Sequence, residues 1–255
     1  MCFAIQQNGP PAGALGWSLA DLTVAGGVML AVSMLLFPAL RNSRDETRRN
    51  VCQNNQRQLW LVVSEYMQAH DDYVPPVQPH ENAGIFTVRL VEGGYIRAED
   101  LAVLLVCPAA PLADSIRSDQ IGIPTSAELG AMSASELATA RQNMSPFFAY
   151  RLPYRIGQQY HQIRADRLTP SPLFSDTSGA EQDGLMSPNH GGSIVQVTNQ
   201  DGSVKPLYSC TMPEFNDDLF VNALGFVAAG VSRHDIVLGR SEATPAFAFP
   251  GPRQR

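Results

Sequence analysis

The segment of residues 17–40 constrains this chain more than any other part, because it is almost entirely apolar. Between residues 17 and 37, Asp21 is the sole ionisable side chain. About twenty residues in a helix, at about 1.5 Å rise each, extend roughly 30 Å, which is the thickness of a bilayer core. The segment is therefore predicted to be a transmembrane helix.

Asp21 is the unusual residue of this segment. A carboxylate inside a membrane costs about 2.5 to 3.5 kcal/mol and commonly marks a pairing or functional site. Because Asp21 lies near the start of the span, its side chain can also reach the headgroups. We expect it to pair with a positive group.

The residues around Asp21 form a recognisable pattern. Gly16 stands before Trp17, Asp21 is the fifth residue counted from Trp17, and the apolar run ends at Pro38. This pattern resembles the class III signal of type IV pilins and type II secretion pseudopilins, with Asp in place of the usual Glu. The resemblance implies that a prepilin peptidase cleaves after Gly16 and methylates the amino group of Trp17. It also implies that Asp21 pairs with the N-terminus of a neighbouring pseudopilin subunit.

The helix is predicted to continue past the span, because no Gly or Pro follows Pro38 until Pro75. Any kink is expected at Pro38, whose ring removes a backbone hydrogen bond. Residues 41–72 carry an apolar stripe at helical spacing opposite an Arg, Gln and Asn face. The stripe comprises Val51, Cys52, Leu59, Val62, Val63, Tyr66 and Met67. One long helix from about residue 18 to residue 69 is the result.

Three further stretches resemble a large planctomycete-type branch of the pseudopilin-like proteins. The helix carries matching residues at Arg48, Arg49, Cys52, Asn54, Asn55, Gln58, Leu59 and Tyr66, followed by Pro75. A Gly-Tyr pair and a later Cys-Pro pair match at Gly94, Tyr95, Cys107 and Pro108. The C-terminal signature of that branch matches at His190, Gly191, Gly192, Asp201 and Gly202. These residues are interpreted mainly as packing and turn positions.

The remaining chain is predicted to form an α+β head over residues 73–245. A short helix that breaks at Gly93 and Gly94 is expected, followed by an apolar run into Cys107 and Pro108. Another helix is expected from about 134 to 142, where Ser133 and Glu136 have capping-box spacing. Hairpins are expected from Phe147 to Ile163, turning near Gly157, and around a type I′ turn at Asp201 and Gly202. The fold class is thus α+β, with a long N-terminal transmembrane helix packed on an antiparallel β-sheet, as in pilins. Residues 1–16 are the predicted leader and residues 246–255 a loose tail.

The cysteines suggest a structural role. Cys2 lies in the predicted leader, and the spacings of Cys52, Cys107 and Cys210 are too wide for a CxxC redox pair or a zinc knuckle. In an oxidising compartment, Cys52 and Cys107 are the preferred disulfide pair. The alternative is that these cysteines are buried free thiols that act as small hydrophobes.

Motifs for catalysis are missing from the sequence, which has no nucleophile elbow, Gly-rich phosphate loop or HExxH. His190 is interpreted as a turn residue, with metal ligand and catalytic base as alternatives. Asp217 and Asp218, with Glu214 and Asn216, form an oxygen-rich cluster that can hold calcium. Asp176, Glu181 and Asp183 form a second such cluster. The alternative for both is a solvated acidic loop. No other cofactor is expected.

Charge is unevenly distributed along the chain. Residues 41–70 hold five Arg against three acidic residues, whereas residues 71–255 hold thirteen basic and twenty acidic residues. The acidic head argues against nucleic acid as a partner, since phosphate binding needs clustered Lys and Arg. By the positive-inside rule, the Arg-rich stretch favours a cytoplasmic head. The pilin resemblance implies the opposite orientation, which we adopt.

The sequence therefore predicts a non-enzymatic, single-pass protein of the bacterial inner membrane, with its head in the periplasm or envelope space. Its expected partners are a prepilin peptidase, other pseudopilin subunits and the inner membrane. The expected function is that of a structural pseudopilin-like subunit of a type II secretion or type IV pilus-like assembly. The alternative is a membrane-anchored ligand-binding or enzymatic domain that uses the helix as a tether.

Overall fold

The computed structural model describes residues 18–111, 113, 118–166, 170–176, 187–192, 194–212 and 217–246. The chain divides into two compact units, Met1–Asp45 and Glu46–Arg255. The predicted leader and the tail beyond residue 246 lie outside the described residues. Within the described parts the fold is α+β, which confirms the predicted class in this coarse form.

Helix α1, Leu19–Ala69, is continuous over 51 residues and contains Pro38, so the predicted long helix is confirmed. It is the one helix of the described residues that is long and apolar enough to span a membrane, and none of its most apolar 18-residue window is buried. At its start, Ser18 Oγ accepts a hydrogen bond from the Asp21 N–H at 3.1 Å. In return, Asp21 Oδ2 accepts from the N–H and Oγ–H of Ser18, at 3.0 and 2.8 Å. This reciprocal pair is a capping box, which stabilises the helix start.

The C-terminal part of α1 lies in the second unit and packs through one stripe. Its buried residues are Cys52, Gln56, Leu59, Val63, Ser64, Tyr66 and Met67. Two details of the predicted stripe are wrong. Val51 is exposed, and Gln56, which was assigned to the polar face, is fully buried. The stripe runs through Cys52, Gln56, Leu59 and Val63 at steps of four, three and four, so Val51 lies outside it.

Helices α2, Ile85–Glu92, and α3, Ala98–Leu104, flank the predicted break at Gly93 and Gly94. The Gly94 N–H donates to the Val91 carbonyl and the Tyr95 N–H to the Leu90 carbonyl, both at 3.0 Å. With φ of +76° at Gly94, this is a Schellman motif, which needs a left-handed residue that glycine supplies without strain.

Helices α4, Ser126–Ala131, and α5, Ala134–Asn143, each begin with a capping box. The box at Ser133 and Glu136 confirms the helix predicted from about 134 to 142. The box at Thr125 and Glu128 has the same spacing and starts a helix that was not predicted. A 3₁₀ turn, Ser118–Gln120, precedes them.

The main sheet has five strands in the order β6-β5-β4-β1-β9, all antiparallel to their neighbours. Their bounds are β1 Phe148–Arg151, β4 Pro172–Asp176, β5 Val195–Asn199, β6 Val204–Leu207 and β9 Leu238–Gly239. Two small antiparallel pairs complete the described strands. They are β2 Tyr154–Ile156 with β3 Gln159–His161, and β7 Thr211–Met212 with β8 Asp217–Asp218.

The hairpin predicted from Phe147 to Ile163 is shorter than expected. Its turn does lie at Gly157, where φ is +61°, but β1 pairs with β4 and β9 rather than with β3. The reason is burial: every residue of β1 is buried, whereas β2 is half-exposed. A strand buried on both faces belongs inside a sheet.

The β5–β6 hairpin is confirmed, but its predicted type I′ turn is wrong. A type I′ turn needs positive φ at both central residues, and here Gly202 alone has it, at +84°. The Gly202 N–H donates to the Asn199 carbonyl at 3.0 Å, and the Asn199 N–H donates to the Ser203 carbonyl at 2.9 Å. The loop is therefore a three-residue turn with Gly202 at a left-handed bulge position.

The core lies on both faces of the sheet. The larger cluster joins the buried stripe of α1, helices α2 and α3, and residues of β1 and β4. The smaller cluster covers the opposite face and consists of Ala149, Ile194, Val195, Val197, Met212, Leu219, Phe220, Ile236 and Leu238. Because successive residues of a strand point to opposite faces, Gln196 and Thr198 of β5 face α1 while Val195 and Val197 face away from it.

Candidate functional site

Four ionisable side chains that are distant in sequence meet in the interior of the head: Cys52, Cys107, Asp176 and His190. Cys52 reaches this place because it belongs to the buried stripe of α1. Cys107 lies in the loop after α3, and Asn55 Nδ2–H of α1 donates to the Val106 carbonyl at 2.9 Å, which holds that loop against the helix. Both cysteine side chains are fully buried.

His190 is positioned by a 3₁₀ turn, Pro188–His190. Ser187 Oγ accepts from the Asn189 N–H at 3.2 Å, and the Asn189 side chain donates to the Phe147 carbonyl at 3.0 Å. Gly191 and Gly192 follow with φ of +67° and +74°. Left-handed geometry at both positions favours glycine, so the two glycines return the chain and leave the imidazole pointing inward, where His190 is 5% exposed.

Asp176 ends β4 and was not predicted to belong to this group. Its Oδ1 accepts from the Gln196 N–H of β5 at 2.7 Å, which fixes the carboxylate on the sheet. Its Oδ2 lies 2.8 Å from His190 Nε2. The same His190 Nε2 lies 4.0 Å from Cys107 Sγ, and the ligand atoms of Cys52, Cys107 and His190 all lie within 4.8 Å of one another.

The four side chains shift one another's pKa values. Burial lowers the pKa of His190, but its contacts with Asp176 and Cys107 outweigh burial and raise that pKa to about 9. A hydrogen bond with Cys52, assisted by His190, lowers the pKa of Cys107 to about 6. The same bond and burial raise the pKa of Cys52. Burial raises the pKa of Asp176, and His190 opposes that rise.

This geometry does not fit a nucleophilic triad. In such a triad the nucleophile and the carboxylate contact different nitrogens of the imidazole, whereas here Cys107 and Asp176 both face Nε2. The side chains of His190 and Asp176 are 0% exposed. A substrate would have to reach a closed interior, so the arrangement suits ligation or structural linkage rather than turnover.

The predicted disulfide partners, Cys52 and Cys107, are therefore neighbours, and their oxidation stays a prediction. Cys210, in contrast, is half-buried and outside this group. Of the signature residues, His190, Gly191 and Gly192 belong to the site. Asp201 and Gly202 lie in the β5–β6 turn, where Asp201 Oδ1 accepts from the Ser203 N–H at 2.9 Å.

Of the predicted processing and assembly residues, Gly16 and Trp17 lie outside the described residues. Asp21 is in the first turn of α1 and exposed. Its capping box with Ser18 gives the carboxylate a local structural role that the sequence analysis did not consider.

The calcium prediction at Asp217 and Asp218 remains untested. Asp217 Oδ2 accepts from the Ile236 N–H at 2.7 Å, and Asp218 Oδ1 accepts from the Phe220 N–H at 2.8 Å. One oxygen of each carboxylate thus accepts a hydrogen bond from a backbone N–H group. Residues 213–216, which belong to the predicted cluster, lie outside the described residues. Within the described residues, the cluster that has metal-ligand spacing is Cys52, Cys107 and His190.

A separate surface cleft of about 930 Å³ lies at the C-terminal end of α1. Its lining includes Tyr66, His70, Arg151, Tyr154, His161, Arg164 and Arg233. Arg151 is buried, and burial together with the charge of Arg233 lowers its pKa to about 10. Several guanidinium groups beside aromatic rings favour an anionic occupant.

No protein-family model matches this chain, and no curated protein or solved structure matches it significantly.

Two buried polar residues, Asp176 and Gln56, are not expected to be buried from the sequence. Asp176 is expected in an acidic loop, although it follows Leu173, Phe174 and Ser175, which with it form the buried strand β4. Gln56 was assigned to the exposed face, although it lies four residues from Cys52 and three from Leu59. In both cases the position in the periodic pattern predicts burial, while the polar residue type suggested exposure.

Proposed function

We propose that this chain is a structural, pseudopilin-like subunit of a type II secretion or type IV pilus-like assembly in the bacterial inner membrane. In this proposal a prepilin peptidase cleaves after Gly16 and methylates Trp17. The observation that carries the proposal is helix α1. A membrane-length apolar stretch with an acidic residue in its first turn continues without interruption into a helix whose C-terminal part is built into the head.

A simple tether does not need this continuity. A tether works equally well with a flexible linker between span and head, whereas here the same helix contributes Cys52, Gln56, Leu59 and Val63 to the head interior. A continuous helix suits a subunit whose span packs in register with its neighbours. Asp21 supplies the charge for that register through the N-terminus of a neighbouring subunit.

Cross-linking in native membranes tests the assembly. Photoreactive residues at Val28 and Leu35, both exposed on α1, are expected to give oligomers of this chain or adducts with other pseudopilin subunits. The matched control is the same probe at Tyr208, which is exposed on the head. Monomers alone from both α1 probes would contradict the proposal.

The cleft supports a second candidate, a membrane-anchored head that binds an anionic ligand in the envelope. Arg164 Nε–H donates to the Asp71 carbonyl at 3.1 Å, which holds one guanidinium at the cleft. Under this alternative Arg233→Ala abolishes function while Asp21→Asn leaves it intact. Under the assembly proposal, Asp21→Asn abolishes function and Arg233→Ala leaves it intact.

A further inference from the structure

We propose that Cys52, Cys107 and His190, with Asp176, form a buried binding site for one zinc ion that links three parts of the head. This inference goes beyond the assembly proposal and does not depend on it. The ligand atoms of the two cysteines and the histidine lie within 4.8 Å of one another in a fully buried place.

The ligand types select the metal. Thiolate sulfur and imidazole nitrogen are the ligands of structural zinc, at about 2.3 and 2.0–2.1 Å from the ion. At tetrahedral angles around one ion, a sulfur and a nitrogen ligand, or two sulfur ligands, therefore lie about 3.5–3.8 Å apart. Cys107 Sγ and His190 Nε2 are 4.0 Å apart, so a small contraction brings them to ligand spacing.

Asp176 provides the fourth ligand. Its Oδ2 forms a buried ion pair with His190 Nε2 at 2.8 Å, and its Oδ1 accepts from the Gln196 N–H. The carboxylate therefore already lies beside the imidazole nitrogen that faces Cys107. A zinc ion between Nε2, Oδ2 and the two sulfurs takes the place of the proton in this ion pair, and Oδ1 remains held by the Gln196 N–H.

The positions of the ligands explain what the ion does. Cys52 is on α1, Cys107 follows α3, His190 is in a 3₁₀ turn and Asp176 ends β4. Cys52 of α1 and Asp176 of β4 are 124 residues apart in sequence. Closing so long a loop by coordination stabilises the folded head, because the unfolded chain has no preformed site.

A disulfide between Cys52 and Cys107 is the competing arrangement. It forms one S–S bond while both thiols lose a proton and the pair gives two electrons to an oxidant, and it removes both thiolate ligands. With a disulfide, His190 and Asp176 form a buried ion pair that takes no part in the link. With zinc, all four side chains are ligands. The convergence of an imidazole and a carboxylate on the two thiols therefore favours the metal.

The test uses the full chain, purified in detergent without chelator or reductant. We expect about one zinc per chain by elemental mass spectrometry. After exchange into Co²⁺, we expect the thiolate-to-cobalt charge-transfer absorption and the visible bands of a tetrahedral site. The wild-type spectrum alone is decisive, so the test does not depend on the folding of a variant.

Variants assign the ligands. Cys107→Ser is expected to lose the charge-transfer band of one thiolate. Asp176→Asn is expected to weaken zinc binding by more than the roughly 10- to 100-fold that losing a hydrogen-bond partner of a ligand costs. His190→Cys is expected to retain the metal with added thiolate absorption. Cys210→Ser is the matched control and keeps the wild-type spectrum. Protein with no stoichiometric zinc and no cobalt–thiolate band, or with a Cys52–Cys107 disulfide in a non-reducing peptide map, overturns the proposal.

Discussion

Gln56 of helix α1 and Thr198 of strand β5 share a buried hydrogen bond, in which Thr198 Oγ–H donates to Gln56 Oε1 over 2.7 Å. Gln56 Nε2–H also donates to the Gln196 carbonyl at 3.3 Å. The helix is thus attached to the sheet by specific polar contacts within an otherwise apolar interface. Such contacts fix the register of a helix on a sheet more strictly than apolar packing does.

We expect Gln56→Leu to lower the free energy of unfolding by about 1–3 kcal/mol, because it leaves buried polar groups of Thr198 and Gln196 without partners. Adding Thr198→Val is expected to recover part of this loss, since the hydroxyl is then removed as well. Urea titrations of the full chain in detergent measure the difference. Gln58→Leu, at an exposed position of the same helix, is the control and changes little. Additive losses in the double variant would contradict the coupling.

Gly202 is expected to tolerate no side chain. Its φ is +84°, and a Cβ atom would lie 2.9 Å from ring atoms of Trp60. Gly202→Ala therefore adds a steric clash to the backbone strain and is expected to destabilise the head by about 1–3 kcal/mol. Gly157→Ala, also at positive φ but in open space, suffers the strain alone and is the control. Trp60 fluorescence is expected to shift in the first variant and not in the second.

The two roles of Asp21 can be separated by a pair of substitutions. Asp21→Asn keeps a side-chain oxygen for the capping box but removes the charge, whereas Ser18→Ala removes the cap and keeps the charge. Because assembly in this account needs the charge, we expect Asp21→Asn to abolish the cross-linked oligomers and Ser18→Ala to preserve them. Membrane insertion of both variants is verified by carbonate extraction. Loss of assembly in Ser18→Ala with normal assembly in Asp21→Asn would show that the cap is what matters.

Removal of the proposed zinc is expected to destabilise the head. A ligand at 100 times its dissociation constant stabilises the folded state by about 2.7 kcal/mol, so a strong chelator should lower the urea midpoint by a corresponding amount. The effect should be reversed by added Zn²⁺ and be missing in Cys107→Ser. A midpoint that is unchanged by chelator in zinc-loaded protein would contradict a structural role for the ion.

The sequence was most informative where one periodic pattern dominates. The long helix follows from the apolar run that ends at Pro38 and from the lack of Gly and Pro between Pro38 and Pro75. Helix α5 follows from the spacing of Ser133 and Glu136. The sequence predicts exposure for polar residues, and this prediction is wrong where the structure buries them. In β5, the alternation of Val195, Gln196, Val197 and Thr198 resembles a strand with one solvated face, yet Gln196 and Thr198 face α1.

The buried site shows why tertiary information was needed. The sequence suggested Cys52 and Cys107 as partners and singled out His190 with its two glycines. The sequence does not indicate that His190 lies beside the two cysteines, because this contact depends on how β4 and the 3₁₀ turn pack against α1. Asp176 completes the site from a strand end, a position that carries no local motif.

The N-terminus of the protein made by native cells tests the central claim most directly. Intact mass and peptide sequencing of the membrane-extracted chain are expected to show that it begins at Trp17 and carries one methyl group on the amino nitrogen. A Gly16→Val variant should retain residues 1–16 and remain unmethylated. A wild-type chain that retains residues 1–16, with Trp17 unmodified inside it, would contradict the assignment as a pseudopilin-like subunit.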